Sequence, residues 1–103
     1  MAIAATVMLE GHETLIGVAR YVLARPDACE FAIVIADRWQ GRGIGRRLME
    51  KLARIARGRG LHEIYGEVLS TNRPMLEMCR KPGYTLGRNP GDQTLTRVTL
   101  KLA

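Results

Sequence analysis

The apolar residues in the middle of the chain recur at the spacing of a helix. They are Ile44, Leu48, Leu52 and Ile55. Basic residues occupy the other positions of the same stretch, so the pattern predicts an amphipathic helix over residues 43–57. Gly58 and Gly60 follow it, and basic residues fill its last turns, which is typical of a helix C-terminus.

Shorter apolar or alternating runs on both sides of this helix predict strands. The predicted strands span residues 2–9, 14–23, 30–36, 63–69, 84–87 and 95–102. The first two are expected to form a hairpin around a longer loop at residues 10–13. The third contains the continuous apolar run Phe31 to Ile35, which favours a buried strand.

A second, short helix is predicted over residues 75–80. Ser70-Thr71-Asn72 offers candidate caps, Pro74 suits a first helical turn, and Pro82-Gly83 stops the segment. The element order is therefore β-β-β-α-β-α-β-β. This order predicts an α/β (α+β) fold in one domain, residues 1–103, with helices packed on a sheet.

The composition narrows the class of protein and of ligand. Hydrophobic residues make up 47% of the 103 residues and charged residues 25%, as in soluble globular domains. With no membrane-length apolar stretch or secretory signal, we expect a cytoplasmic protein. Cys29 and Cys79 have no metal-ligand spacing, and no metal site is expected. The net charge of +6 favours anionic partners: a phosphorylated cofactor, an acidic protein surface or a nucleic acid.

The segment Gln40-Gly41-Arg42-Gly43-Ile44-Gly45 lies between a predicted buried strand and the long helix. The first N–H groups of a helix lack internal partners, and glycines let a bulky phosphate approach the backbone. A P-loop would need Lys-Ser/Thr after the last glycine, where this chain has Arg46-Arg47. The spacing G-x-G-x-G also differs from the G-x-G-x-x-G of dinucleotide-binding folds. The segment therefore indicates a different phosphate site.

This segment resembles the Gln/Arg-x-x-Gly-x-Gly/Ala motif of the GNAT superfamily of N-acetyltransferases, in particular the bacterial protein lysine acetyltransferase group. The stretch from Asn72 to Tyr84 resembles a second family motif, which forms a short helix and the next strand. The resemblance implies a mixed, mainly antiparallel sheet with one long and one short helix. It also implies acetyl-CoA as the acyl donor and an amine, either a small molecule or a protein lysine, as the acceptor.

The resemblance also assigns residues to the coenzyme. The backbone that holds the pyrophosphate would be that of Gln40, Gly41, Arg42, Gly43, Ile44 and Gly45, with Arg46 near the phosphates. The strand backbone at Ile33, Val34 and Ile35 would pair with the pantetheine arm, and Asn72 would lie beside it. Cys79 occupies the position where many members have a tyrosine that protonates the departing thiolate, and the general acid is left open.

Glu30 is the candidate general base. A lysine ammonium with a pKa near 10.4 must lose a proton before it attacks, which costs about 4–5 kcal/mol at neutral pH. Glu30 begins the predicted central strand, where the protein-acetylating group has a catalytic glutamate. Without the family context, a solvated carboxylate at the end of a strand is an equally good interpretation.

Family members usually have a strand and two helices before the hairpin, and these help to build the acceptor site. We therefore expect a shortened domain without those N-terminal helices, completed by a homodimer, a partner chain or a longer fused protein. Three functions remain open: an N-acetyltransferase, a non-catalytic acyl-CoA sensor, and a basic nucleic-acid binder. The last is disfavoured because aromatic residues are only 5% of the chain and no nucleic-acid motif occurs.

Overall fold

The computed structural model describes residues 1–102, which form one six-stranded sheet and two α-helices. The elements are β1 Ala2–Leu9, β2 His12–Arg25, β3 Ala28–Ile35, α1 Ile44–Gly58, β4 Glu63–Leu69, α2 Arg73–Arg80, β5 Thr85–Asn89 and β6 Asp92–Lys101, with a 3₁₀ turn at Asp37–Trp39. The strand order is β1-β2-β3-β4-β6-β5. All neighbouring strands are antiparallel except β3 and β4. The predicted mixed, mainly antiparallel fold is confirmed.

Several predicted boundaries were wrong. The central strand β3 begins at Ala28, so Glu30 is its third residue and not its first. Three other boundaries were wrong for local reasons. The first hairpin has a two-residue turn, Glu10-Gly11, with positive φ angles of 49° and 79°, instead of a longer loop. His12 and Glu13 pair with β1 as exposed residues of the strand β2. They are polar because they face solvent, and not because they belong to a loop. Likewise β6 begins at Asp92, before the first apolar residue of the strand, and α2 begins two residues earlier than predicted.

Both helices pack on the same face of the sheet, where the core lies. The core includes Leu48, Leu52 and Ala56 of α1, Cys79 of α2, and Phe31, Ile64 and Val98 of the strands. Because side chains alternate along a strand, the residues between these strand positions point to the other face. On that face Val22, Val34 and Leu69 are 60%, 71% and 57% exposed. Within the described residues, the apolar core therefore lies on only one face of the sheet, the face that the two helices cover.

The sheet separates in its middle, between its two parallel strands. Registered pairing of β3 with β4 is limited to three residue pairs and ends at Glu30 and Tyr65. Beyond this point the β4-facing backbone of residues 31–35 has no strand partner. The Phe31 ring lies against Gly66 of β4 at the same place, where an added Cβ would come within 2.5 Å of the ring. A gap therefore opens between the strands just beyond Phe31.

Neither helix in the described part of the chain is long and apolar enough to cross a membrane.

Candidate functional site

The loop between β3 and α1 turns through two glycines with left-handed backbone angles. Gly41 and Gly43 have φ angles of 78° and 80°, a region that other residues enter at a cost. Atoms added at their Cβ positions would meet nothing within 4 Å. The backbone angle, and not crowding by the protein, is therefore the reason for glycine at these two positions.

The loop leads into α1, and the backbone N–H groups of the first turn of this helix are unpaired. The first helical hydrogen bond is donated by the N–H of Arg47 to the carbonyl of Gly43, at 3.2 Å. The N–H groups of Ile44, Gly45 and Arg46 therefore have no acceptor within residues 1–102, and no side chain caps this end. Unpaired N–H groups and the positive end of the helix dipole together favour an anion, and above all a phosphate.

The side chains of Gln40 and Arg42 hold the loop close to the end of β3. The amide Nε2 of Gln40 donates to the carbonyl of Ile35 at 3.2 Å and to Asp37 at 3.3 Å. The guanidinium of Arg42 lies 4.8 Å from the centre of the Trp39 ring, a cation–π contact. These contacts fix the loop before any ligand binds, which reduces the entropy lost on binding.

A groove of about 470 Å³ runs from this loop to α2. The walls include predicted site residues from both motifs: Ile33, Ile35, Gln40, Gly41, Gly43, Gly45, Arg46 and Asn72. The other lining residues are Trp39, four residues of α2 and Lys81 just after it; the four are Pro74, Met75, Glu77 and Met78. The groove therefore joins the two sequence motifs, although about thirty residues separate them along the chain.

Asn72 has a structural role as well as a place on the groove wall. Its side-chain oxygen accepts a hydrogen bond from the N–H of Met75 at 3.3 Å and so caps α2. The cap leaves the amide NH₂ of Asn72 available to a ligand. Close approach of α1 and α2 depends on Gly45, because a Cβ there would lie 3.1 Å from the sulfur of Met78.

Four predicted cofactor residues do not line the groove with their side chains. Arg42 and Ile44 lie at the loop but do not line the groove, and Val34 points to the opposite face of the sheet. Cys79 lies fully buried in the core. Burial raises the pKa of its thiol to about 11, which keeps the group protonated at neutral pH.

Glu30 lies on the sheet face opposite the helices, at the point where β3 and β4 begin to separate. It pairs in register with Tyr65, and its carboxylate is one of the groups that raise the pKa of Arg97. The larger causes of that shift are the hydrogen bond and the charge of Glu67. Glu30 therefore belongs to a polar cluster that spans β3, β4 and β6.

Glu67 was not predicted from the sequence, yet it is a largely enclosed carboxylate of this cluster. One oxygen accepts a hydrogen bond from Nε of Arg97. The other oxygen is buried and has no partner within the described residues. The side chain is only 17% exposed. An unpaired buried carboxylate oxygen is costly, so it marks a position where a donor is expected to bind.

The sequence alone could predict which face of its strand Glu67 lies on, but not which residues lie beside it. Glu63, Tyr65 and Glu67 alternate along one strand, which predicts that they share a face. The pairing that brings them beside Glu30 and Arg97 joins three strands distant in sequence. Among the residues described, no group of three or more potential metal-ligating side chains occurs.

The chain is similar to proteins of one family. The model of the "Acetyltransferase (GNAT) family" matches residues 3–84. The protein "Acetyltransferase PA5475" of Pseudomonas aeruginosa is 35% identical over 95 residues, which is 91% of this chain. Those residues cover 51% of PA5475, so the chain spans about half the length of this curated relative.

Solved structures have the same fold. The GNAT domain of S. lividans PAT is 27% identical, with a TM-score of 0.77 over 97% of this chain and 60% of that one. Salmonella typhimurium yncA, solved with its cofactor acetyl-CoA, has a TM-score of 0.76 at 24% identity. That match covers 87% of this chain and 60% of yncA.

Proposed function

The chain belongs to the acetyltransferase (GNAT) family, and we propose that it carries the acetyl-CoA site and the proton-accepting carboxylates of an N-acetyltransferase. One observation carries the proposal: the groove beside the loop and the enclosed Glu67 lie on opposite faces of the sheet, on either side of the place where β3 and β4 lose their pairing. A ligand that extends from the groove through the gap would present its far end to the carboxylates.

The described residues fit coenzyme A at several points. The unpaired N–H groups at the start of α1 suit its pyrophosphate, and the guanidinium of Arg46 adds positive charge beside them. The unpaired edge of β3 beyond Glu30 offers backbone groups to the amides of the pantetheine arm. Ile33, Ile35 and Met75 supply apolar walls.

In the proposed reaction, the bound thioester supplies an activated acetyl carbonyl, at which an acceptor nitrogen forms the C–N bond as the C–S bond breaks. The sulfur leaves as the thiolate of coenzyme A, and the proton that the nitrogen loses on becoming an amide converts that thiolate to the free thiol. Glu67 receives the proton that the ammonium must lose before attack, either directly or through water. Arg97 holds Glu67 in place by its hydrogen bond. Glu30, on the neighbouring strand, adds negative charge that attracts the ammonium.

The surface around these carboxylates favours an acceptor with an apolar stem. Val22 pairs in register with Glu30, and Val34 lies on the same face. Leu69 follows Glu67 on β4, again on this face. A lysine side chain, which carries an ammonium on a four-carbon stem, matches carboxylates flanked by exposed apolar residues. We therefore propose a protein lysine as the acceptor, with small amines as the alternative.

The proposal is tested by thiol release from acetyl-CoA with lysine peptides and small amines. Replacing Glu67 with Gln should lower kcat by about 10²–10⁴-fold and leave acetyl-CoA affinity unchanged, because only proton transfer is removed. Glu30→Gln is expected to act in the same direction. Glu13→Gln is the matched control, since Glu13 is an exposed carboxylate on β2 that bonds only Thr6.

Two results would argue against the proposal. Coenzyme binding without turnover across the amine and peptide panel would favour the acyl-CoA sensor instead. Turnover that is equal in Glu67→Gln and the parent protein would remove Glu67 from the reaction and leave solvent or Glu30 as the proton acceptor.

A further inference from the structure

A second cavity, of about 300 Å³, lies between α1 and the end of α2, and the proposed reaction does not use it. It shares only Arg46 and Met78 with the coenzyme groove. From Arg46 it extends along one side of α1 as far as Arg57, about 16 Å of helix. We refer to this cavity as the α1–α2 cleft.

The floor of the α1–α2 cleft is apolar. Met49, Ala53 and Tyr84 form part of it and are 4%, 7% and 5% exposed. Leu100 of β6 and Pro82 complete the lining on the sheet side. An apolar floor in a concave site favours a ligand with an apolar body, since burying that body removes it from water.

The rim of the α1–α2 cleft is positively charged. Three arginines line it against a single acidic residue, Glu50. Arg46 pairs with Glu50 at 3.1 Å, and Nε of Arg57 donates to the carbonyl of Leu102 at 3.0 Å. Arg54 makes no ion pair or side-chain hydrogen bond with any residue from 1 to 102. One guanidinium is therefore available, and Arg57 lies one turn further along the same side of the helix.

We propose that the α1–α2 cleft binds a small carboxylate with an apolar body, such as a medium-chain fatty acid. Arg54 and Arg57 receive the carboxylate, because a guanidinium presents paired donors that match its two oxygens. The apolar part lies over Met49 and Leu100. The volume of the cleft, about 300 Å³, is near the lower limit of small-molecule sites. The cleft can therefore hold a short ligand but not a long lipid.

The proposal is tested by calorimetric titration of the protein with octanoate, in the absence and in the presence of saturating coenzyme A. Octanoate is expected to bind in both cases. Arg54→Gln is expected to weaken binding about tenfold, the usual effect of losing a hydrogen bond to a charged group. Lys51→Gln is the control, because Lys51 is a basic residue of the same helix that does not line the cleft.

The comparison ligands separate the competing explanations. Octylamine or octanol binding as tightly as octanoate would overturn the role of the arginines. Tighter binding of octyl phosphate would overturn the assignment to a carboxylate. Complete displacement of octanoate by coenzyme A would place it in the coenzyme groove and refute a separate site. No detectable binding of octanoate would also refute the proposal, and none of these readings depends on acetyl transfer.

Discussion

Gly43 shapes the coenzyme groove through its backbone angle. Its φ of 80° places the following N–H groups at the start of α1, and nothing crowds its missing side chain. A residue with a Cβ would adopt this angle at a cost of about 1–2 kcal/mol, or would leave it and turn the N–H groups away. The position therefore links one dihedral angle to the affinity for phosphate.

Gly43→Ala is expected to weaken acetyl-CoA binding by about tenfold, because the loop of the free variant relaxes out of the strained angle and binding must restore that angle at about 1.4 kcal/mol. Calorimetry with acetyl-CoA measures the change. The control is Gly58→Ala near the end of α1, where the angle is helical and the site is open. That variant should bind normally and should be slightly more stable. Undiminished binding by Gly43→Ala would show that the loop tolerates another conformation.

Cys79 makes the stability of the protein sensitive to alkaline pH. Burial raises the pKa of its thiol from 9.0 to about 11, so the unfolded chain releases this proton first. The stabilisation is complete below pH 9 and is lost as the pH rises to 11. The free energy of unfolding measured in urea should fall by about 2 kcal/mol from this group between pH 9 and pH 11. In Cys79→Ala, the free energy of unfolding should fall less steeply between pH 9 and pH 11. If it falls as steeply as in the parent protein, Cys79 is not the group responsible.

At the scale of elements, β4 and β3 meet at a contact that leaves no room for another atom. The Phe31 ring fills the position that a side chain at Gly66 would take. Gly66→Ala should therefore displace the ring and destabilise the fold by about 1–3 kcal/mol, measured by thermal unfolding. Since Phe31 borders the gap, acetyl-CoA affinity should also fall. Gly87→Ala on β5 is the control, because an added methyl group there would meet nothing.

The elements that were predicted well depend on local patterns. The helix α1 was placed within one residue at each end because its apolar face repeats every three to four residues and glycines follow it. The cap of α2 was narrowed to Ser70-Thr71-Asn72 for the same kind of reason, and the structure shows that Asn72 is the residue that caps it. The hairpin turn was misplaced because polar residues on an edge strand look like loop residues. Local patterns therefore located the loop and both helices.

The carboxylate cluster depends on pairing between strands, which local patterns do not contain. Glu67 was not predicted, because its importance arises from Arg97 across β4 and β6 and from Glu30 across the parallel pair. The resemblance placed Cys79 near the cofactor, whereas its residue type alone favoured a small buried side chain, and the structure puts it in the core. The surroundings of both residues are set by segments that lie far away along the chain.

At the scale of the whole molecule, the charge of +6 should draw the anionic coenzyme towards the groove. Raising the salt concentration shortens the range of this attraction, from about 10 Å at 0.1 M to about 3 Å at 1 M. The association rate of acetyl-CoA should therefore fall steeply with salt in stopped-flow measurements, whereas the dissociation rate should change little. A salt-independent association rate would show that the net charge does not steer the ligand.

The short parallel contact also divides the molecule into two halves. Strands β1 to β3 with α1 form one half, and β4 to β6 with α2 form the other, joined in the sheet by three residue pairs. A ligand in the gap would act as a bridge between the halves and would stabilise their relative position. Amide hydrogen exchange at residues 31–35 should therefore slow when coenzyme A binds, while exchange in the outer hairpins should stay the same.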